Sequence, residues 1–319
     1  MTRMAVAVVS YNARDDLLAC IRSIRRAATP PPPTVVVDNG STDGGPALVR
    51  AEFPDAEVVV DSANRGYGAA ANLGARRSHT PYLLVLNSDT VVAPGTLDAL
   101  SDYLDAHPRV AIAGPRLRSP DGTLEPSCHP PLGTLRSVLE KSSLGRAIAR
   151  VPGVGRHWAL LTWAHDRARP VPWLTGAALA VRRSAFDAVG GFDEGYFMYA
   201  EEADLCWRCR KAGWEVHFAP VTEVIHRGGA STAPLRGAMA LQKIRSAIRF
   251  YRRHYAPPRA ALLVLGIRTA MLFRWCRDAL RLRFAGDPQT RSRLAEDLAL
   301  WRRALRRPEA DPLGAVRPG

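Results

Sequence analysis

Asp89 closes the segment Leu83-Leu84-Val85-Leu86-Asn87-Ser88, an apolar run that ends in two polar residues. A carboxylate at the end of a buried strand can share a divalent cation with a diphosphate, since Mg²⁺ is held by hard oxygen ligands together with substrate phosphates. His226 follows the strand-like Val221–Ile225 and is a candidate further ligand, a donor that suits Mn²⁺ as well as Mg²⁺. The plainer alternatives are a strand-end cap for Asp89 and a structural role for His226.

A second dense patch runs from Gly190 to Leu205 (GGFDEGYFMYAEEADL). Its aromatic approach suits the wall of an acceptor site, with Asp193, Glu194, Phe197, Tyr199 and Glu201 as candidate contacts. Helical spacing predicts that Glu201, Asp204 and Arg208 share a charge-paired face. Glu202 points elsewhere, with Leu205, Cys206 and Cys209. A carboxylate against an apolar wall has a raised pKa and can act as a general base, which makes Glu202 the candidate catalytic residue. Cys206 and Cys209 have CxxC spacing, but no second pair completes a zinc site.

Three more polar clusters follow apolar runs. Ser10-Tyr11-Asn12 comes after Met4–Val9, and Asp38-Asn39-Gly40-Ser41 after Val35–Val37. Asn64-Arg65-Gly66 comes after Glu57–Val60. Asp38 stands where it can meet a base or ribose, although DNGS also reads as an Asx-turn. NRGYG offers glycines for close backbone approach, Arg65 for charge, and a following helix N-terminus that favours anions. It is not GxGxxG, so the dinucleotide fingerprint is absent. Ligands of open α/β sheets bind outside the carboxyl ends of the strands. Clusters at four such ends, Asn87-Ser88-Asp89 included, therefore make a pocket.

The elements needed to position them are legible as alternation. Apolar runs at 4–9, 34–38, 57–60 and 82–87 read as strands, and 15–27, 46–52 and 68–78 as the helices between them. Strands apolar throughout argue for a mostly parallel sheet with helices on both faces. Residues 174–182 and 214–219 read as further strands and 200–212 as a helix. Residues 115–172, rich in Pro, Gly and Arg, read as an irregular excursion with one helix near 133–150. From 236 the pattern is helical. The apolar stretch 260–273 is too short to span a bilayer.

The chain has 319 residues and a formal net charge of +14, and its 47% hydrophobic content excludes disorder. Residues 236–319 carry 19 Lys and Arg against 6 Asp and Glu, so nearly all the excess charge lies in the last quarter. That asymmetry suggests contact with a polyanion, either an anionic membrane or nucleic acid. Five cysteines without regular spacing and a start lacking a signal peptide suggest the cytoplasm. No GxSxG, Walker A or HExxH match is present, which counts against nucleophilic hydrolases, P-loop enzymes and zincins.

Taken in order, VVSYNARDDLLACIRSI, VVVDNGSTDGG, NRGYGAAANLGA, LLVLNSDTVV, LTGAALAVRRSAF, GGFDEGYFMYAEEADLCWRCRKAGW and HRGGAST cover roughly residues 4–232. In these motifs the chain resembles the inverting family 2 glycosyltransferases of GT-A fold, in their bacterial rhamnosyltransferase-like branch. The resemblance implies a Rossmann-like GT-A catalytic domain over 1–235 and a basic helical extension over 236–319. It also implies a nucleotide-sugar donor, with dTDP-rhamnose favoured over UDP-hexose, galactofuranose or GDP-mannose donors, and a Mg²⁺ or Mn²⁺ cofactor.

By motif position, Ser10, Tyr11, Asn12, Asp38, Asn64, Arg65, Gly66, Asn87, Ser88 and Asp89 would bind donor. Asn87-Ser88-Asp89 replaces the family's DxD, with Asp89 as the metal carboxylate, and His226 matches a metal ligand of some members. Glu202 stands where relatives reading EDxDL have their Asp base, one methylene longer. The implied acceptor is a polyprenyl-diphosphate-linked saccharide or glycan for the cell envelope. The enzyme would then sit peripherally at the inner face of the cytoplasmic membrane, docked through the basic extension. A nucleic-acid-binding protein is the alternative from another class. It is disfavoured because few aromatic residues interleave with the basic ones. A nucleotidyltransferase is disfavoured too, because its glycine- and lysine-rich N-terminal loop is missing.

Overall fold

A computed structural model describes residues 3–134, 163–228 and 236–306. The chain divides into two compact units, one formed by residues up to 197 together with 201–231, the other by 198–200 with 232–317.

The first unit is an α/β sheet protein. It opens with β1 (Met4–Ser10), α1 (Arg14–Ala27), β2 (Thr34–Asp38), α2 (Gly45–Glu52), β3 (Glu57–Val60), α3 (Tyr67–Arg76) and β4 (Tyr82–Asn87). Then come β5 (Thr90–Val92), α4 (Thr96–Ala106), β6 (Val110–Arg118), β7 (Leu124–Glu125) and β8 (Cys128–His129). After the undescribed stretch lie β9 (Arg169–Pro170), β10 (Trp173–Leu174), β11 (Ala178–Arg182), α5 (Arg183–Ala188), α6 (Glu201–Lys211) and β12 (Glu215–His226).

The main path of the sheet runs β3-β2-β1-β4-β11-β6-β12-β5, with β7 beside β6 and β9 beside β12. Its first four strands are mutually parallel, whereas β11 is antiparallel to both β4 and β6. Side chains alternate between the two faces of a strand, and both faces here are apolar. Val6, Val8, Val36, Leu84 and Leu86 belong to one core with Leu17, Ile21 and Ile24 of α1. Ala5, Ala7, Val35, Val37, Leu83 and Val85 belong to the other, with α3 and with Leu205, Cys206 and Cys209 of α6. The small residues of β1 and α3 permit a close approach. A Cβ on Gly74 would lie 2.8 Å from Ala7 Cβ.

Two sequence expectations change. Residues 115–118 are not part of an irregular excursion: they complete β6, a nine-residue strand pairing with both β11 and β12. The excursion also contributes the short strands β7, β8 and β9. Most of the helix expected near 133–150 lies outside the described residues. The strand expected over 174–182 is interrupted, with β10 and β11 separated by a turn at 175–177. The strand expected at 214–219 continues to His226, with a register shift between Phe218 and Glu223.

The second unit contains α7 (Arg236–His254), α8 (Pro257–Phe284) and α9 (Pro288–Arg306). Its core joins Leu241, Met271, Trp301 and Ala304. Residues 198–200 belong to it through Met198, whose carbonyl accepts hydrogen bonds from Ser246 Oγ at 2.7 Å and Gln242 Nε2 at 3.3 Å. Lys243 Nζ lies 4.7 Å over the Tyr199 ring. No helix among the described residues is long and apolar enough to cross a membrane.

Candidate active site at the strand ends

Because β3, β2, β1 and β4 are adjacent and parallel, the four polar clusters emerge side by side at one edge. Loops 10–12 and 38–43 are stitched together. Asn12 N–H donates to Ser41 Oγ at 2.8 Å, and Asn12 Oδ1 accepts from Thr42 N–H at 2.9 Å. Asp43 Oδ2 accepts Arg14 N–H at 2.7 Å and thereby caps α1. Ser10 is buried beneath this loop, and its carbonyl accepts the amide of Asn39.

Asp38 departs from its expected place at an open rim. It is wholly buried, and its carboxylate accepts Gly40 N–H, Ser41 N–H and Ser41 O–H. The Asx-turn is therefore realised, and Asp38 shapes the loop from beneath.

The Asn64-Arg65-Gly66 loop is tied to the segment before α6. Tyr67 N–H donates to Phe197 O at 2.9 Å, and a Cβ on Gly66 would fall 2.0 Å from that same oxygen. With φ at +99°, this position admits only glycine. Arg65 pairs with Asp61 at 2.9 Å and approaches Glu194 at 3.8 Å.

Asn87, Ser88 and Asp89 form the turn between β4 and β5. Asn87 N–H donates to Ala177 O, and Ser88 N–H to Val9 O. Asp89 meets His226 across the β5–β12 pair, with Oδ1 3.4 Å from Nε2. On the other side of the imidazole, Nδ1 lies 2.9 Å from Glu125. Burial opposes charge on His226, but the hydrogen bonds with Asp89 and Glu125 outweigh it and raise the pKa to about 9. A cation at Nε2 would take that proton's place. Among the described residues no group of three or more His, Cys, Asp or Glu is arranged to hold a metal. The pair still fits a hard cation that draws its remaining ligands from a diphosphate and water, with Glu125 orienting the histidine as an outer-shell partner.

Glu202 lies beside the turn between β10 and β11: a Cβ on Gly176 would lie 3.6 Å from Glu202 Cβ and 3.8 Å from its Cδ. The carbonyl of Gly176 accepts the phenol of Tyr67 at 2.8 Å. Burial, and then the charges of Glu201, Glu202 and Asp89, raise the pKa of Tyr67 well above its ordinary value. One buried phenol thus feels the candidate base and the candidate metal carboxylate together.

Glu201 departs from the expected paired surface. It is buried and packs towards Gly68, and burial together with the Glu202 charge raises it well above the carboxylate range. Asp204 and Arg208 do pair, at 2.6 Å, but inside the fold: Asp204 is wholly buried and Arg208 also donates to Val189 O. Of the other candidate acceptor residues, Asp193 Oδ1 accepts Gly195 N–H in a turn. Glu194 is shared among Asn72, Arg76 and Arg65. Asn72 holds the loop further, bonding both the amide and the carbonyl of Phe192.

Tyr67 and Asn72 lie within the NRGYGAAANLGA motif, but their roles were not legible in advance, nor was that of Glu125, because each acts on a residue far away in sequence.

Residues 5–150 match the model of a family described as Glycosyl transferase family 2, and residues 154–286 that of Glycosyl transferase family group 2. An N-acetylglucosaminyl-diphospho-decaprenol L-rhamnosyltransferase of Mycobacterium tuberculosis is 36% identical over 244 residues, covering 72% of this chain and 77% of that protein. A rhamnosyltransferase of Escherichia coli is 48% identical over 56 residues, 18% of this chain and 21% of its own. Among solved structures, a mannosyltransferase from Pyrobaculum calidifontis in complex with GDP-Man and Mn²⁺ superposes with a TM-score of 0.55. At 18% identity, it covers 98% of this chain and 86% of that one, a likeness of fold.

Proposed function

From a chain that belongs to glycosyl transferase family 2, we propose an inverting rhamnosyltransferase acting on a lipid-linked saccharide. The donor is dTDP-rhamnose and the acceptor a hydroxyl of a polyprenyl-diphosphate-linked sugar. The similarity to the mycobacterial rhamnosyltransferase supports the rhamnosyl group and the lipid-linked acceptor. The C-terminal charge supports work at an anionic membrane surface on the cytoplasmic side.

The observation that carries the chemistry is the pairing of two carboxylates with different surroundings near one buried phenol. Asp89 faces His226, while Glu202 lies against Gly176 beside the buried Glu201. In a single displacement, Glu202 takes the proton of the acceptor hydroxyl as that oxygen bonds to the anomeric carbon. The bond from that carbon to the diphosphate oxygen breaks, and the nucleoside diphosphate leaves with the electron pair. Asp89 and His226 would hold Mg²⁺ or Mn²⁺, which when bound neutralises the leaving diphosphate. Tyr67 fixes the Gly176 turn, and so the wall beside the base. The Ser10–Asn12 and Asp38–Ser41 loops form the nucleoside side, their backbone already braced by Asp38.

The experiment is transfer from radiolabelled dTDP-rhamnose to a short-chain lipid-diphosphate N-acetylglucosamine, with UDP-sugars and GDP-mannose in parallel. Glu202→Gln should lower kcat about 10²–10⁴-fold, as loss of a general base does, with donor binding retained. Transfer from another donor alone would replace rhamnose in this reading. Full activity in Glu202→Gln would remove the base.

A further inference from the structure

We infer that α8 docks on an anionic lipid bilayer through one continuous stripe that reaches from Leu262 to Phe284. This deepens the proposed action on a lipid-linked acceptor and rests on that reading for its purpose, though not for its geometry.

At about 100° per residue, Leu262, Leu265, Thr269, Phe273, Leu280 and Phe284 fall along one side of the helix. The apolar members are open to solvent: Leu262 is 68% exposed, Phe273 71% and Phe284 77%. The stripe covers roughly 33 Å at a rise of about 1.5 Å per residue. Ala260, Val264, Met271 and Asp278 are buried instead, and Met271 joins the core with Leu241 and Trp301. The exposed stripe is therefore a second apolar face on a helix that has already packed its first. Apolar patches of this extent mark interaction sites.

The charge decides what covers it. Arg259, Arg268, Arg274, Arg277, Arg281 and Arg283 lie on α8 against a single acid, Asp278, which is buried beside Arg277. Arg274 and Arg277 line the shallow groove that Leu262, Leu265 and Phe273 form. A second copy of the chain would bring arginine against arginine across the seam. Nucleic acid would satisfy the guanidinium groups and leave Leu and Phe in water. A bilayer interface takes both, with side chains buried at the acyl boundary and arginines reaching the phosphates. No described helix is long and apolar enough to cross a membrane, and the arginines spaced along α8 suit a helix lying in the interface.

The test uses Cys276, which is exposed on the same side of α8, whereas Cys20, Cys128, Cys206 and Cys209 are buried. A polarity-sensitive maleimide dye on the full chain therefore reports from the stripe. Vesicles of equal parts phosphatidylglycerol and phosphatidylcholine should shift its emission to the blue and carry the protein down on sedimentation. Pure phosphatidylcholine should do so at least about tenfold more weakly, given about 1 kcal/mol for each lysine or arginine near the surface. Phe273→Glu should weaken binding about tenfold or more, and Arg281→Gln should lower its salt sensitivity. Glu202→Gln must bind as wild type does, which separates docking from catalysis. The inference is overturned if anionic vesicles leave the dye unshifted. It is equally overturned if Phe273→Glu binds unchanged, or if the shift follows protein concentration without lipid, the mark of self-association.

Discussion

At the scale of single residues, the site depends on partners that its motifs do not contain. Glu125 is the clearest case. It holds Nδ1 of His226 at 2.9 Å and leaves Nε2 towards Asp89. Glu125→Ala should lower Mn²⁺ affinity about 10–100-fold, the usual effect of losing an outer-shell partner, measured by titration of the metal into the purified chain. Unchanged affinity would show that the imidazole needs no such orientation. Asp89 and His226 were legible as candidates because each follows an apolar run, and Glu202 because helical spacing sets it with Leu205, Cys206 and Cys209. Glu125 was not, because it lies in a two-residue strand within a stretch rich in turn-forming residues. Asp38 was half legible: type and position were plain, but only the fold shows both oxygens turned inward.

Elements bring these residues together by close approach and by cross-strand pairing. Gly66 allows the start of α3 to touch Phe197, with no room for a methyl group. Gly66→Ala should cost at least about 1–3 kcal/mol from its backbone conformation alone, read by denaturant unfolding, and should impair donor binding. Strands β6 and β12 are joined through Glu223, which accepts from both Arg116 and Arg118. Those hydrogen bonds lower the Glu223 pKa from its ordinary 4.5 to about 2. A carboxyl depressed on folding stabilises the protein above its unfolded pKa and loses that contribution as pH falls through the folded one. Thermal stability should therefore decline between pH 4.5 and 2, and less steeply in Glu223→Gln.

The alternating first half of the sheet was readable from sequence, because each parallel strand there is apolar on both faces. β6 was harder. Pro115, Arg116 and Arg118 interrupt its apolar run, and only pairing with β11 and β12 shows why a strand tolerates them.

On the scale of the whole molecule, chemistry and charge are divided along the chain. The sheet unit contains the four strand-end clusters and Glu202, while nearly all the excess positive charge lies in residues 236–319. That division was legible as composition, whereas the apolar stripe of α8 needed the helix and its burial to be seen together. In the proposed mechanism Asp89 and a divalent cation hold the donor diphosphate, while Glu202 serves only the transfer. Calorimetric binding of dTDP-rhamnose to wild type, Asp89→Ala and Glu202→Gln, each in Mn²⁺ and in EDTA, tests it most directly. Wild type and Glu202→Gln should bind alike in Mn²⁺, and binding should be lost in EDTA and in Asp89→Ala. Equal binding in EDTA, or in Asp89→Ala with Mn²⁺, would contradict it.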